Sequence, residues 1–448
     1  MTQASTTPVT GSGPGAARAD EIRAAHAEYL FPAVRPLYRE PIVIAEAKGV
    51  EVVAVDGRRY VDLFSGILTT SIGHCHPEVV ERVRDQVGRL GHTSTLYVTE
   101  NQVNAARKLA AIAPGNLKRS FFLNSGTEAV ETAILAAQIY TGRTEIIALR
   151  HSYSGRSVLA RGVTGQAPWR LVAGALAGIA HATSPYLYRS PYGDLPEEEA
   201  AERFAADLEE VIVTVTSGRP AAFIAETIQG AGGYIVPPRG YFQRAAEIIR
   251  RYGGLLIIDE VQTGFGRTGG KWFGIEHWGV VPDIMVMAKG IANGFPVGAV
   301  ITTDEIAAAW TGKTISTYGG NPVCMAAMEA TLDVMVREDT PARSAERGAQ
   351  LRQGLEALAA EFSWIGEVRG MGLMQALELV EDRATKAPAP GLAAAFLEAT
   401  REEGVLVGLG GLHGNVIRIG PSMLITEDEL AEGLERLARA CRRVDAAR

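Results

Sequence analysis

The chain has 448 residues, 47% hydrophobic and 21% charged, with 44 Lys and Arg against 51 Asp and Glu and a formal charge of −7. This composition excludes global disorder, allows two or three domains at roughly 100–200 residues each, and shows no basic excess of the kind nucleic acid selects. The cysteines, Cys75, Cys324 and Cys441, are too few and too scattered for a disulfide framework or a zinc site, so no metal is expected and a reducing cytoplasm fits best.

No apolar run approaches the roughly 20 residues of a membrane helix, so no membrane partner is expected. Residues 1–19 read as a disordered tail, because Met1–Ala17 is rich in Thr, Gly, Ser and Pro and lacks the apolar core of a signal peptide. A helix is predicted from Asp20 to Leu30. Glu51–Asp56 and Arg59–Phe64 read as strands around the hairpin signal Asp56-Gly57. From about Ser71 to Pro322, apolar runs alternate with helical stretches: Ser120–Leu123, Glu145–Leu149, Ala221–Ala225, Leu255–Ile258, Ile284–Met287 and Gly298–Thr302. That alternation predicts an α/β fold with a mostly parallel sheet covered on both faces. Helical stretches then run to about Phe362, followed by a mixed segment (Val368–Leu379, Gly391–Glu403), a strand at Val416–Ile419 and a last helix over Glu427–Arg443. The expected organisation is a large domain over 71–325 and a smaller α+β domain built from both chain ends, 20–70 and 326–448.

In an open α/β sheet, ligands bind outside the carboxyl ends of the strands. After Phe121-Phe122-Leu123 comes Asn124-Ser125-Gly126-Thr127-Glu128, where Ser125 and Glu128 have the spacing of a capping box. A helix N-terminus there would attract an anion such as phosphate. Tyr153 follows the Ile146–Arg150 run and could stack on a flat ligand. Glu226 ends one buried run, and Asp259-Glu260 end another; a carboxylate in such a place needs a partner. Lys289 follows Ile284–Met287, and a desolvated ammonium there would be a usable amine nucleophile. Taken singly, each has a plain structural reading: a helix cap, a packed ring, a lysine that snorkels to solvent. Together they suit pyridoxal phosphate, which needs a Schiff-base lysine, an acid on its pyridine nitrogen and an anion cradle.

With these residues in view, the chain from about Phe31 onward resembles the class III (ω-type) aminotransferases of pyridoxal-phosphate fold type I. The resemblance is strongest over Ile258-Asp259-Glu260-Val261-Gln262-Thr263-Gly264-Phe265-Gly266-Arg267-Thr268-Gly269 and over Ala288-Lys289-Gly290. Supporting stretches are Gly73-His74-Cys75-His76-Pro77, Glu226-Thr227-Ile228-Gln229-Gly230, Thr317–Pro322 and Val416–Ile419. The resemblance implies a seven-stranded-type central sheet and ping-pong transfer of an amino group from an amino acid or ω-amino donor to a small keto acid. It makes Lys289 the Schiff-base lysine and Asp259 the partner of the pyridine nitrogen. Gln262 would bond the ring's phenolic oxygen, and Val261 and Tyr153 would flank the ring. Ser125, Gly126 and Thr127 would hold the phosphate, joined by Thr317 from a second subunit, which implies a homodimer with shared sites. Arg418 would grip the substrate carboxylate, and Glu226 would support the site. Racemase, epimerase, mutase and lyase relatives keep the same lysine and acid, so those reaction types stay open, as does a non-catalytic cofactor-binding protein.

Two positions depart from the family pattern. Thr227 replaces a frequent proline. Ala231 stands where the γ-aminobutyrate and ornithine branches carry a glutamate that pairs with the carboxylate-binding arginine. The motif Gly264-Phe265-Gly266-Arg267-Thr268-Gly269 matches G-x-G-x-x-G, but Gly270-Lys271-Trp272-Phe273-Gly274 follows it. That is poor helix material, so a dinucleotide site is not expected.

Overall fold

The computed structural model describes residues 14–172 and 176–448. The first helix spans Pro14–Tyr29 and so starts earlier than Asp20; residues 1–13 of the expected tail lie outside the described residues. Strands β1 (Ile44–Lys48), β2 (Glu51–Ala54) and β3 (Arg59–Asp62) form an antiparallel meander. Between β2 and β3, Gly57 adopts φ 86°, a left-handed conformation that glycine reaches without a Cβ clash.

Seven strands follow: β4 (Arg119–Leu123), β5 (Ile146–Leu149), β6 (Ile179–Ala182), β7 (Ala222–Glu226), β8 (Leu255–Asp259), β9 (Ile284–Met287) and β10 (Gly298–Thr302). They make one sheet in the order β4-β10-β9-β8-β7-β5-β6. Neighbours from β9 to β6 are parallel, whereas β10 runs against both β4 and β9. Two reversals restore the direction, so β4 points the same way as β9. Strands β5, β7, β8, β9 and β10 are buried at every position, which is why they read as unbroken apolar runs rather than alternating ones.

The remaining strands are β11 (Ile365–Met371), β12 (Met374–Leu379), β13 (Val405–Leu406), β14 (Gly408–Gly410) and β15 (Val416–Ile419). A four-stranded antiparallel sheet orders them β11-β12-β15-β14. Strand β13 leaves that sheet and pairs in parallel with β3, Val405 opposite Val61. Late chain thereby completes the N-terminal meander. Helices Pro322–Arg337 and Thr340–Glu361 and the last helix, Glu427–Ala446, match the helical stretches read from the sequence.

Candidate active site

The carboxyl ends of β4, β5, β7, β8 and β9 lie on one edge of the central sheet, and the loops after β4, β5, β8 and β9 line a cavity of ≈ 310 Å³. Ser125, Gly126, Thr127, Tyr153, Asp259, Val261 and Lys289 line it. Ser125 caps the helix Gly126–Thr141, its hydroxyl accepting the Glu128 N–H at 3.2 Å. The Glu128 carboxylate turns to the Asn124 N–H at 2.7 Å, one residue before the capping-box position. The first N–H groups of this four-turn helix therefore face the cavity with the positive end of its dipole. Gly155, at φ 134°, brings the next loop against Thr127, whose Oγ1 would lie 2.5 Å from any added Cβ.

Glu226 and Asp259 are register partners at the ends of adjacent parallel strands, so their side chains leave the sheet on the same face. The Glu226 carboxylate accepts the Tyr153 N–H at 2.9 Å and the Gly230 N–H at 2.8 Å, tying the cavity loop of Tyr153 to the loop after β7. Asp259 accepts the Val261 N–H at 2.9 Å. Lys289 sits at φ 46°, two residues after the end of β9. Burial pushes its ammonium below the ordinary lysine range, against the pull of Asp259 and Glu226. Burial raises both carboxyls, and the neighbouring Asp259 charge raises Glu226 further. Two acids and an amine thus crowd a buried edge where ionisation is costly.

This arrangement has a measurable sign. Folding favours the protonated Glu226, so its contribution to stability is complete below the ordinary carboxylate range and is lost as pH rises through the raised value. In cofactor-free protein, the Tm advantage of the parent over Glu226→Gln should shrink steadily between about pH 5 and pH 8. A tenfold rise in proton affinity corresponds to about 1.4 kcal/mol. A pH-independent gap would show that Glu226 ionises alike in the folded and unfolded chain.

The adjacent acid, Glu260, points the other way. It accepts from Thr227 Oγ1 at 2.7 Å, Gly274 N–H at 3.0 Å, Ile275 N–H at 2.8 Å and the Thr263 hydroxyl. It is a buried anchor for the loop after β8, and Thr227, in the proline's place, supplies one of its donors. Arg267, inside the glycine-rich motif, is also fully buried, and donates to the carbonyls of Leu373, at 3.2 Å, and Pro421. The motif forms turns and opens no helix.

Four of the expected residues stand off the cavity wall. Gln262 lies against Gly230, with its amide oxygen buried and without a partner. Glu226 lies behind the loops. Arg418, on β15, is buried and donates to Leu409 O at 3.2 Å and Gly230 O at 3.5 Å. Thr317 is exposed in the loop ahead of Gly319 and lines no part of this cavity. Sequence reasoning missed Thr69, Asn124, Ser154 and the segment Gly294-Phe295-Pro296-Val297, all on the cavity wall. The Asn293-Gly294 turn signal, just after the lysine, could have pointed to the last of these.

Comparison with known proteins decides the family. A profile of the class III aminotransferases matches residues 34–441. The chain belongs to the class III aminotransferases. It is 42% identical to alanine–glyoxylate aminotransferase 2 homolog 2, mitochondrial, of Arabidopsis thaliana, over 94% of this chain and 87% of that one. Identity to the acetylornithine aminotransferase of Methanothermobacter thermautotrophicus is 38%, over 89% of this chain and 93% of that one. An amine transaminase from an uncultivated Pseudomonas species, solved in its PLP-bound form, superposes with a TM-score of 0.87 at 34% identity, covering 93% of this chain and 98% of that one. This class III aminotransferase is a fold-type I, pyridoxal-phosphate-dependent enzyme that transfers amino groups between amino and keto acids.

The residues of the edge fit that cofactor. A helix N-terminus suits its phosphate. The Gln262 amide, whose oxygen lacks a partner, has capacity for a ring substituent, since amide oxygen and nitrogen are interchangeable by a flip. A positive pyridine ring beside Asp259 would offset the cost of that buried carboxylate. Among the described residues no helix is long and apolar enough to cross a membrane, and no cluster of His, Cys, Asp and Glu could hold a metal.

Proposed function

We propose that this aminotransferase works on donors and acceptors that carry a carboxylate, with pyruvate or glyoxylate as the preferred acceptor and 2-oxoglutarate second. The observation that carries this reading is the Arg418 guanidinium, buried near the lysine and bonded among the described residues only to backbone carbonyls. Ala231, in the loop beneath it, offers no carboxylate, and its carbonyl accepts the Gly411 N–H at 3.0 Å. Glu226 acts on this guanidinium only through its field, and among the described residues no carboxylate bonds it, so it should bind a ligand carboxylate in bidentate fashion. A small keto acid needs no second cation. 2-Oxoglutarate does, and Arg156 and Arg35 are both exposed.

Bound pyridoxal phosphate supplies an electron sink for the donor carbon. Within the same proposal, Ser125, Gly126 and Thr127 bind the phosphate and Thr317 joins them from a partner subunit. Tyr153 and Val261 would flank the ring and fix its position, and Gln262 would bond its phenolic oxygen. Asp259 holds a proton on the pyridine nitrogen, and Glu226 steadies the loops of Tyr153 and Gly230. Lys289, its basicity lowered by burial, carries the cofactor at rest and afterwards moves a proton at the substrate carbon. One keto product leaves before the second substrate binds, in ping-pong order.

A panel of amino donors against pyruvate, glyoxylate and 2-oxoglutarate tests the substrate reading. Arg418→Ala should raise KM for carboxylate substrates steeply, since such a contact is worth about 1.5–3 kcal/mol, and should spare amines lacking a carboxylate. A best pair of γ-aminobutyrate and 2-oxoglutarate would overturn it. The shared-site homodimer predicts that light scattering finds no active monomer and that Thr317→Ala weakens cofactor binding. The division into 20–70 with 326–448 and a large domain over 71–325 is supported by the β3–β13 pairing. A cytoplasmic location is supported by three free cysteines, one of them exposed.

A further inference from the structure

Two aromatic rings flank the substrate-binding arginine. The Arg418 guanidinium carbon lies 5.0 Å from the ring centre of Phe64 and 5.8 Å from that of Tyr234. Tyr234 hangs on strained backbone, and Phe64 directly precedes a strained turn. Phe64 opens a left-handed turn in which Ser65, Gly66, Ile67 and Leu68 have φ of 51°, 58°, 68° and 58°. Three of these are not glycine, and a β-branched residue such as Ile67 is a steric outlier there. Asp62 holds the turn, its Oδ1 accepting the N–H groups of Phe64 and Ser65, both at 2.8 Å. The turn closes from the Leu68 N–H to the Phe64 carbonyl at 2.9 Å.

Tyr234 carries two costs. Its φ is 55°, and its hydroxyl is buried without a partner. Strand β14 makes room for the whole assembly. A Cβ on Gly408 would overlap the Phe64 ring, and one on Gly410 would lie 2.8 Å from Arg418 Nε. Strain and unsatisfied polarity that gather around one side chain are retained where a function requires that geometry.

We propose that Phe64 and Tyr234 are positioning residues that fix the Arg418 guanidinium in its carboxylate-binding pose and thereby set the preference for carboxylate donors over plain amines. The proposal rests on the reading of Arg418 given above. A ring face immobilises a cation without cancelling its charge and without consuming its in-plane N–H donors. A glutamate in the same place would do both. Here the arginine is held still while its charge and its free donors stay available to a ligand.

The holoenzyme tests this with Phe64→Leu, Tyr234→Leu, Tyr234→Phe and Arg418→Ala. Each is assayed with L-alanine and with 2-butylamine as donor, and titrated calorimetrically with propionate, which cannot react. Phe64→Leu and Tyr234→Leu should each raise KM for L-alanine and Kd for propionate about tenfold, between the exposed and fully desolvated sizes of a cation–π contact. The effect on 2-butylamine should be much smaller. Tyr234→Phe should restore most of the Tyr234→Leu loss, because the ring and not the hydroxyl holds the cation. Equal effects on both donors, unchanged propionate binding in the ring variants, or a Tyr234→Phe variant as weak as Tyr234→Leu would each overturn the proposal. If Arg418→Ala loses propionate while both leucine variants keep it, the rings alone are excluded. If Arg418→Ala itself keeps propionate, the carboxylate reading of Arg418 falls and takes this proposal with it.

Discussion

Lys289→Ala should abolish amino-group transfer and remove the visible absorption of the lysine-bound cofactor, while leaving the fold intact. Proton transfer by a positioned amine accounts for roughly 10²–10⁴ of rate, and the covalent hold on the cofactor proposed for Lys289 would be lost in addition. The fold should survive because the substitution removes a buried ammonium whose ionisation burial already disfavours. The φ of 46° is as demanding for alanine as for lysine, so backbone strain is unchanged. The Tm of the cofactor-free variant should therefore equal or exceed that of the parent, the usual pattern where an active site holds a destabilising group. Absorption spectra and single-turnover assays check the first part, and calorimetry the second. An unchanged spectrum would remove Lys289 from the site.

Asp259→Asn should cut turnover by roughly 10²–10³ or more, the usual cost of losing one preorganised electrostatic contact, with little change in Tm. Asparagine keeps the shape and can still accept the Val261 N–H, but it cannot hold a proton on a pyridine nitrogen by charge. Burial makes this carboxylate expensive to ionise. Lys289 offsets part of that cost, and a protonated pyridine nitrogen beside the carboxylate would offset more of it. A variant within about a factor of two of the parent in kcat, against the scale expected for such a contact, would make the carboxylate structural.

The core of this fold is legible because its central strands are buried on both faces and spell out apolar runs. What escaped notice lies at edges and corners. Strand β1 is an edge strand of sequence Ile-Ala-Glu-Ala-Lys, and β6 is an edge strand with Ile179 its only strong strand former. Strand β13 has two residues, and β14 is Gly-Leu-Gly. In the site, strand-end acids were visible, but their directions were not. Asp259 and Glu260 are neighbours whose side chains leave the chain on opposite sides. One faces the cavity, while the other, with four donors, anchors a loop. The surroundings of Arg418 were hidden for a different reason. Phe64 and Tyr234 are far apart in sequence, and nothing in Ser-Gly-Ile-Leu announces a left-handed turn, since Ile and Leu avoid positive φ.

The pairing of β13 with β3 also dictates when this protein can mature. Val61 is synthesised near the start of the chain and Val405 near its end. At about 5–20 residues per second on the ribosome, the meander waits on the order of tens of seconds for its last strand. During that time β3 presents an open edge, a template for pairing with other chains. Charges guard the meander, with Arg59 paired to Glu51 and Arg58 beside Asp56. The left-handed turn after Asp62, which presents Phe64 to Arg418, depends on that same late closure, since the Leu63 N–H bonds to the Leu406 carbonyl at 3.0 Å. Nascent chains cut short before residue 405 lack β13 and should therefore hold a formed central sheet with the β3 edge still open.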